Sequence, residues 1–230
     1  MHTLIIIPAY NEASMIAAVV GDVRAMFTGD VLVIDDGSED ATAAEAGRAG
    51  AQVLRHACNL GIGAAVQTGF LYALTYGYDS VVRLDGDGQH DPAYIPEFLE
   101  MLSAGAGDII VGSRFLGRKG YQSTWVRRIG ILILTMVSAL VGTRVSDPTS
   151  GYWGINRRAL ELLAREQPDD YPETQALVLA TRAGLRVKEI PVIMQARGAG
   201  QSSSIAGTVQ SGFYMLKVIL AVLIERLRQR

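Results

Sequence analysis

Apolar and β-branched residues gather into short runs at 3–8, 31–35, 51–54, 80–84 and 108–111, several of them apolar throughout, as buried parallel strands are. Helix-length, alanine-rich stretches lie between them at 12–27, 39–49, 62–77 and 92–104. Strand alternating with helix is the mark of βαβ units. It predicts an α/β, Rossmann-like, mostly parallel sheet flanked by helices, with a ligand crevice outside the carboxyl ends of the strands. Polar residues just past those ends are therefore the first candidates for chemistry.

Beyond residue 113 the pattern loosens. A basic loop leads to an apolar segment at 129–142, a strand-like run at 152–156, a helix at about 172–183 and a strand ending at 189–194. Gly/Ser-rich 198–204 reads as a mobile loop, and a helix over about 205–228 closes the chain. With no composition break and no internal repeat, the expected organisation is one catalytic domain at 1–204 and an amphipathic helix at 205–230, packed on it or extending from it.

Cys58 has no second cysteine to pair with, and no Cys/His cluster has zinc spacing, which fits a reducing compartment. The start of the chain has no basic segment or cleavage site of a secretory signal, so a cytoplasmic location is expected. Charge changes the picture more. Residues 1–113 hold 4 Lys and Arg against 15 Asp and Glu, whereas 114–230 hold 17 against 8. An acidic half suits a metal and a basic half suits phosphate or an anionic surface, although solvated faces that merely differ give the same counts.

The sharpest motif is Asp85-Gly-Asp-Gly-Gln-His-Asp-Pro92, where the fourth strand should end. Asp85, Asp87 and Gln89 alternate with residues that include two glycines, so a turning backbone can aim several hard oxygens at one Mg²⁺ or Mn²⁺. Asp/Gly clusters also make plain turns and helix caps, and Asp91 before Pro92 has the form of a cap. A second acidic cluster, Asp35-Asp-Gly-Ser-Glu-Asp40, ends the second strand on the same predicted edge. Together the two suggest one site, with Asp35 and Asp36 accepting hydrogen bonds from a nucleoside and Asp85 and Asp87 holding the metal on its pyrophosphate; Ser38 to Asp40 equally suit the start of the next helix. Gly61-Ile-Gly-Ala-Ala-Val66 is a weak match to a dinucleotide fingerprint, because Val66 stands where a third small residue belongs. His2 and His56 have no evident partners in the sequence.

These residues resemble the family 2 glycosyltransferases of GT-A fold, in particular the polyprenyl-phosphate branch that includes dolichyl-phosphate mannose synthases. The matching pieces are Ile7-Pro-Ala-Tyr-Asn-Glu12, the two acidic clusters, Asn59-Leu-Gly-Ile-Gly-Ala64, Val111-Gly-Ser-Arg-Phe115 and Asp147-Pro-Thr-Ser-Gly-Tyr152, in the family's order. The resemblance implies that Pro8, Tyr10, Glu12, Asp36 and Asp85 serve the donor nucleotide, and that Asp85, Asp87 and Gln89 bind Mg²⁺ or Mn²⁺. It implies that Arg114, with Arg127 and Arg128, faces an acceptor phosphate, and that Arg197 and Ser202 lie on a loop closing over the donor. Tyr171-Pro-Glu-Thr-Gln175 departs from the dolichyl-phosphate mannose enzymes and leaves the sugar and nucleotide, UDP- or GDP-linked, open.

The expected reaction is an inverting, metal-dependent transfer of a hexose from a nucleotide-diphosphate sugar to a polyprenyl phosphate. A phosphate monoester is already an oxyanion, so positioning and charge neutralisation outweigh general-base help. Asp87, Arg114 and Asp147 are the catalytic candidates; Asp147 aims an acceptor group or an arginine, or makes a structural turn. Arg114, Arg118, Lys119, Arg127, Arg128 and Arg144 surround segment 129–142 without an Asp or Glu between 114 and 144, and that segment is short of the about 20 residues a bilayer crossing needs. With the apolar run 213–224 and the arginines after it, this predicts peripheral binding to the anionic inner face of the cell membrane. Burial in the core, a second copy of the chain or an integral membrane partner is the alternative cover for these helices. Nucleic acid is not among the expected partners. A soluble glycan or protein acceptor is the runner-up, and a catalytically inactive nucleotide-binding scaffold the reading from another class.

Overall fold

The computed structural model describes residues 1–117, 125–140, 142–168 and 172–195, with backbone alone at 125–130 and 140. In chain order the elements are β1 (Thr3–Ala9), α1 (Ile16–Met26), β2 (Asp30–Asp35), α2 (Thr42–Arg48), β3 (Gln52–Arg55), α3 (Ile62–Thr75) and β4 (Ser80–Arg83). A 3-10 turn (Pro92–Tyr94) then leads into α4 (Ile95–Ser103), β5 (Ile109–Ser113), α5 (Trp125–Leu140), β6 (Trp153–Asn156), α6 (Arg157–Glu166), α7 (Pro172–Arg182) and β7 (Val187–Pro191). The seven strands form one sheet in the order β3-β2-β1-β4-β6-β5-β7. Every pairing is parallel except those of β6, which runs against both β4 and β5.

No residue of β1 is exposed, and alternation along it divides the core. Ile5 and Ile7 join Val31, Val33, Val82 and Ile110 beneath α1 and α4, while Leu4 and Ile6 join Leu32, Ile34, Val81 and Trp153 beneath α3, α6 and α7. Each large side chain so buried contributes about 1.5–3 kcal/mol of transfer free energy. Two-sided cover is why these strands read as continuous apolar runs.

The expected βαβ frame is present; α1 and α2 start later than the stretches expected at 12–27 and 39–49, and three further differences stand out. The stretch expected as one helix at 92–104 is a 3-10 turn followed by α4, because Asp91 accepts from the Ala93 N–H and Pro92 fixes the first turn. The strand expected to end at 189–194 is β7 at 187–191, with only an isolated bridge from Met194 to His90 beyond it. Helix α6 had no counterpart in the sequence reading; Asn156 caps it by accepting from Ala159 N–H at 3.0 Å, and Ala159, Leu160, Leu163 and Ala164 bury one face. The loop 198–204, Arg197, Ser202 and the helix at 205–230 lie outside the described residues. Among the described residues no helix is long and apolar enough to cross a membrane.

Candidate active site

Parallel strands bring their carboxyl ends to one edge. There Ala9 stands beside Asp35, Asp35 beside Arg55, and Ile6 beside Arg83 at the end of β4. Because β6 runs the other way, its first residue, Trp153, pairs with both Arg83 and Val111. The reversed strand thus delivers the preceding segment 147–152 to the same edge. Pro8, Tyr10, Glu12, Asp36, Asp85, Asp87 and Gln89 all follow or end strands at this edge, with Arg114 just past β5.

Asp35 is wholly buried and spends its carboxylate locally. One oxygen accepts from Ser38 N–H at 3.0 Å; the other is 3.1 Å from Arg55 Nε, an ion pair without the alignment of a hydrogen bond. Asp36, also buried, accepts from the His56 ring at 2.7 Å, from Leu60 N–H at 2.9 Å and from Gly61 N–H at 2.8 Å. The other His56 nitrogen lies 3.0 Å from Thr68 Oγ1, so this histidine, without evident partners in sequence, bridges the acidic turn to α3. Gly37, at φ +71°, must be glycine: a Cβ there would stand 2.4 Å from the Cys58 carbonyl carbon. On the near side Asn11, at φ +55°, donates its N–H to Ser38 Oγ and accepts from Glu39 N–H, while Glu12 N–H reaches Thr42 Oγ1. Ser38 to Asp40 therefore tie the two loops together, and α2 begins only at Thr42.

In the second acidic loop Asp87 is 3% exposed and accepts from Gln89 N–H, whereas the Asp85 side chain is about one-third exposed. His90 Nδ1 accepts from Asp85 N–H at 3.0 Å, so that nitrogen is committed to the loop. Burial pushes the imidazole below its ordinary pKa against the pull of Asp85 and Asp87, and the ring is neutral. Gln89 C=O accepts from Gln195 N–H, which brings the segment past β7 against this loop. No three His, Cys, Asp or Glu side chains gather for a metal among the described residues. The chain's own offer is two carboxylates with Gln89 next in the turn, which fits a hydrated Mg²⁺ or Mn²⁺ that draws further oxygens from water and phosphate.

Asp147 is fully buried and grips Arg114 with both oxygens, at 2.7 Å to Nε and 2.7 Å to Nη2; Thr149 Oγ1 takes Nη2 at 2.8 Å as well. The two-pronged face of Arg114 is thus taken, and among the described residues no partner meets Nη1. Glu189, on β7, accepts from Ser146 N–H, Ser146 Oγ and Asp147 N–H and so fixes the turn that carries Asp147. Arg127 and Arg128 fall in the first turn of α5, where only the backbone is described; Arg197 and Ser202 are beyond the described residues. Sequence reasoning missed Arg83, His56, Glu173 and Glu189. The signal for Glu173 was its place one residue into a helix after Pro172, but nothing local identified its partner.

The model of glycosyl transferase family 2 matches residues 4–163. The polyprenol monophosphomannose synthase of Mycolicibacterium smegmatis is 32% identical over 93% of this chain and 84% of its own. The UDP-N-acetylglucosamine–dolichyl-phosphate N-acetylglucosaminyltransferase of Methanococcus voltae is 30% identical over 82% and 83%. Glucosyl-3-phosphoglycerate synthase of Mycobacterium tuberculosis, solved with Mn²⁺, UDP and glucosyl-3-phosphoglycerate, shares the fold at a TM-score of 0.75 with 20% identity, over 99% of this chain and 81% of that one. The chain belongs to glycosyl transferase family 2 and is a glycosyltransferase of GT-A fold.

Proposed function

We propose that this glycosyltransferase moves a hexose, with inversion, from a nucleotide-diphosphate sugar to a polyprenyl phosphate, with Mg²⁺ or Mn²⁺ in the acidic loop. The observation that carries the reading is the convergence of two carboxylate loops and the Arg114–Asp147 fork on one edge of the sheet. Relatives at 30% identity and above are named for polyprenyl or dolichyl phosphate products and acceptors, and they differ in sugar, so the sugar is not carried over.

In this reading Pro8, Tyr10 and Glu12 form one wall of the nucleoside pocket, and Asp36 shapes the other by holding the 56–61 segment. Asp85, Asp87 and Gln89 hold the cation, which supplies Lewis-acid relief of the charge growing on the departing nucleotide diphosphate. Arg114, aimed by Asp147, presents Nη1 to the acceptor phosphate as a single charged donor, with Arg127 and Arg128 adding charge from α5 and Arg197 and Ser202 closing over the donor. The domain at 1–204 carries the chemistry, and α5, with the segment 205–230 that the sequence predicts as a helix, rests on the inner leaflet. On α5 the exposed Leu132, Ile133 and Met136 supply an apolar face for this.

The test is a panel of labelled nucleotide sugars incubated with undecaprenyl phosphate, with and without EDTA. Label entering the organic phase from one donor, lost with EDTA and restored by Mn²⁺ or Mg²⁺, is expected. Undiminished transfer in EDTA removes the metal, and no lipid-linked product from any donor removes the acceptor. A soluble acceptor is the second reading, favoured by the fold shared with an enzyme solved with glucosyl-3-phosphoglycerate.

A further inference from the structure

Arg83 ends β4 two residues before Asp85 and is 1% exposed, an unusual place for a permanent cation. Its Nη2 donates to Glu173 Oε1 at 2.7 Å and reaches Asp85 Oδ1 at 3.4 Å. Nε and Nη1 are buried without an acceptor among the described residues, so charge compensation falls on these two carboxylates. Gly151 makes the arrangement fit: a Cβ there would stand 3.0 Å from Nη2 and 3.2 Å from either Asp85 oxygen. Burial alone would lower the guanidinium pKa, but the pull of Glu173, then of Asp85, raises it, and the group stays charged.

A fixed positive charge beside Asp85 opposes a divalent cation on the same carboxylate. Glu173, from the first turn of α7, takes the closer position and cancels that charge. We propose that Glu173 is a positioning residue that takes the shorter bond to the buried Arg83 guanidinium, offsets its charge beside Asp85, and thereby sets the affinity of the acidic loop for its divalent cation. The inference rests on the assignment of Asp85 and Asp87 to the cation. A buried ion pair is costly to keep for stability alone, since well-packed apolar residues replace such pairs without loss, so a role in tuning a neighbouring charged site gives this one a purpose.

The experiment is titration of the purified full chain with Mn²⁺, alone and with UDP or GDP, read as free Mn²⁺ by electron paramagnetic resonance. Circular dichroism checks each variant's fold. Glu173→Gln keeps the shape and an acceptor for Arg83 but removes the charge, and is expected to weaken Mn²⁺ binding by about tenfold or more, the order expected from one unbalanced charge at this range. Adding Arg83→Met to Glu173→Gln is expected to restore binding to within about threefold of the wild type, since charge balance returns. Unchanged Mn²⁺ affinity in Glu173→Gln, or no recovery in the double variant, overturns the proposal. If Glu173→Gln alone does not fold, Arg83→Met and the double variant are compared: Arg83→Met, which leaves the Glu173 charge unbalanced, is expected to bind Mn²⁺ about tenfold more tightly than the double variant, and equal affinities overturn it. A wild type that binds no Mn²⁺ under any of these conditions overturns the cation assignment itself, an outcome distinct from the others.

Discussion

Asp147 and Arg114 are joined through two parallel contacts of 2.7 Å, the carboxylate wholly buried and the guanidinium nearly so. The fork means that Arg114 is aimed before any substrate arrives, with Asp147 as its positioning residue. Arg114→Ala is expected to raise the KM for lipid phosphate at least about tenfold while leaving the donor dissociation constant within about twofold, the pattern of a lost charge-assisted contact to one substrate. Steady-state kinetics with donor titration checks it. Equal loss of donor affinity would move this arginine to the nucleotide side.

Removing the other half of the fork leaves a buried cation without its partner. Asp147→Ala and Arg114→Met are each expected to cost about 3 kcal/mol of stability in urea unfolding, because each leaves the other charge unpaired in a buried place. Costs below about 1 kcal/mol in both would show that the fork contributes aim and little else.

The Asp36–His56 contact fixes the acidic turn that the proposed function gives to the donor. His56→Ala removes a bridge between the acidic turn and α3, at an expected cost of about 1–2 kcal/mol. Nucleotide affinity should fall with it, since the 56–61 segment loses its anchor. Gly37→Ala is the sharper version, as the added methyl meets backbone at 2.4 Å and φ is positive. A cost of about 2 kcal/mol or more is expected there, again read by urea unfolding and nucleotide titration. Normal nucleotide affinity in both variants would separate this turn from the donor.

The frame of the fold was legible because strands covered on both faces are apolar through their middles, which is how β1 and β2 read. The acidic loops were legible because they follow those strands. What stayed hidden depended on contacts distant in sequence. The four residues of β6 carry no period from which to read direction, yet its reversal is what brings Asp147 to the site. Arg83 looks like a solvated strand end until Glu173, 90 positions later, is placed against it. From sequence Asp147 reads as aiming an acceptor group or an arginine, or as making a turn; in the fold it binds Arg114, and Glu189 on another strand holds its turn.

Asp87→Ala is expected to abolish metal-dependent turnover, with Asp85→Ala similar or somewhat less severe, and to leave the fold intact, because a hard oxygen ligand is lost from the cation. Product assays over a Mn²⁺ series and circular dichroism check this. A folded Asp87→Ala protein with near-normal turnover would remove the metal from this loop.

On the membrane side, Leu132 and Met136 expose 59% and 60% of their surface on α5, enough apolar area to expect insertion into a leaflet beside the basic residues of 114–144. Leu132→Glu with Met136→Glu is expected to lower co-sedimentation with anionic vesicles, as is truncation after Ser204, with donor binding spared in both. Only part of the binding should fade with salt, since screening acts on exposed charge and not on apolar burial. Intact, folded protein that ignores anionic vesicles at low salt would refute peripheral attachment.

The most direct measurement of the central claim is a competition for one labelled donor between undecaprenyl phosphate in anionic vesicles and 3-phosphoglycerate in solution. The account predicts labelled product in the organic phase and none above background in the aqueous phase. Product confined to the aqueous phase would contradict it and make the acceptor a soluble phosphate.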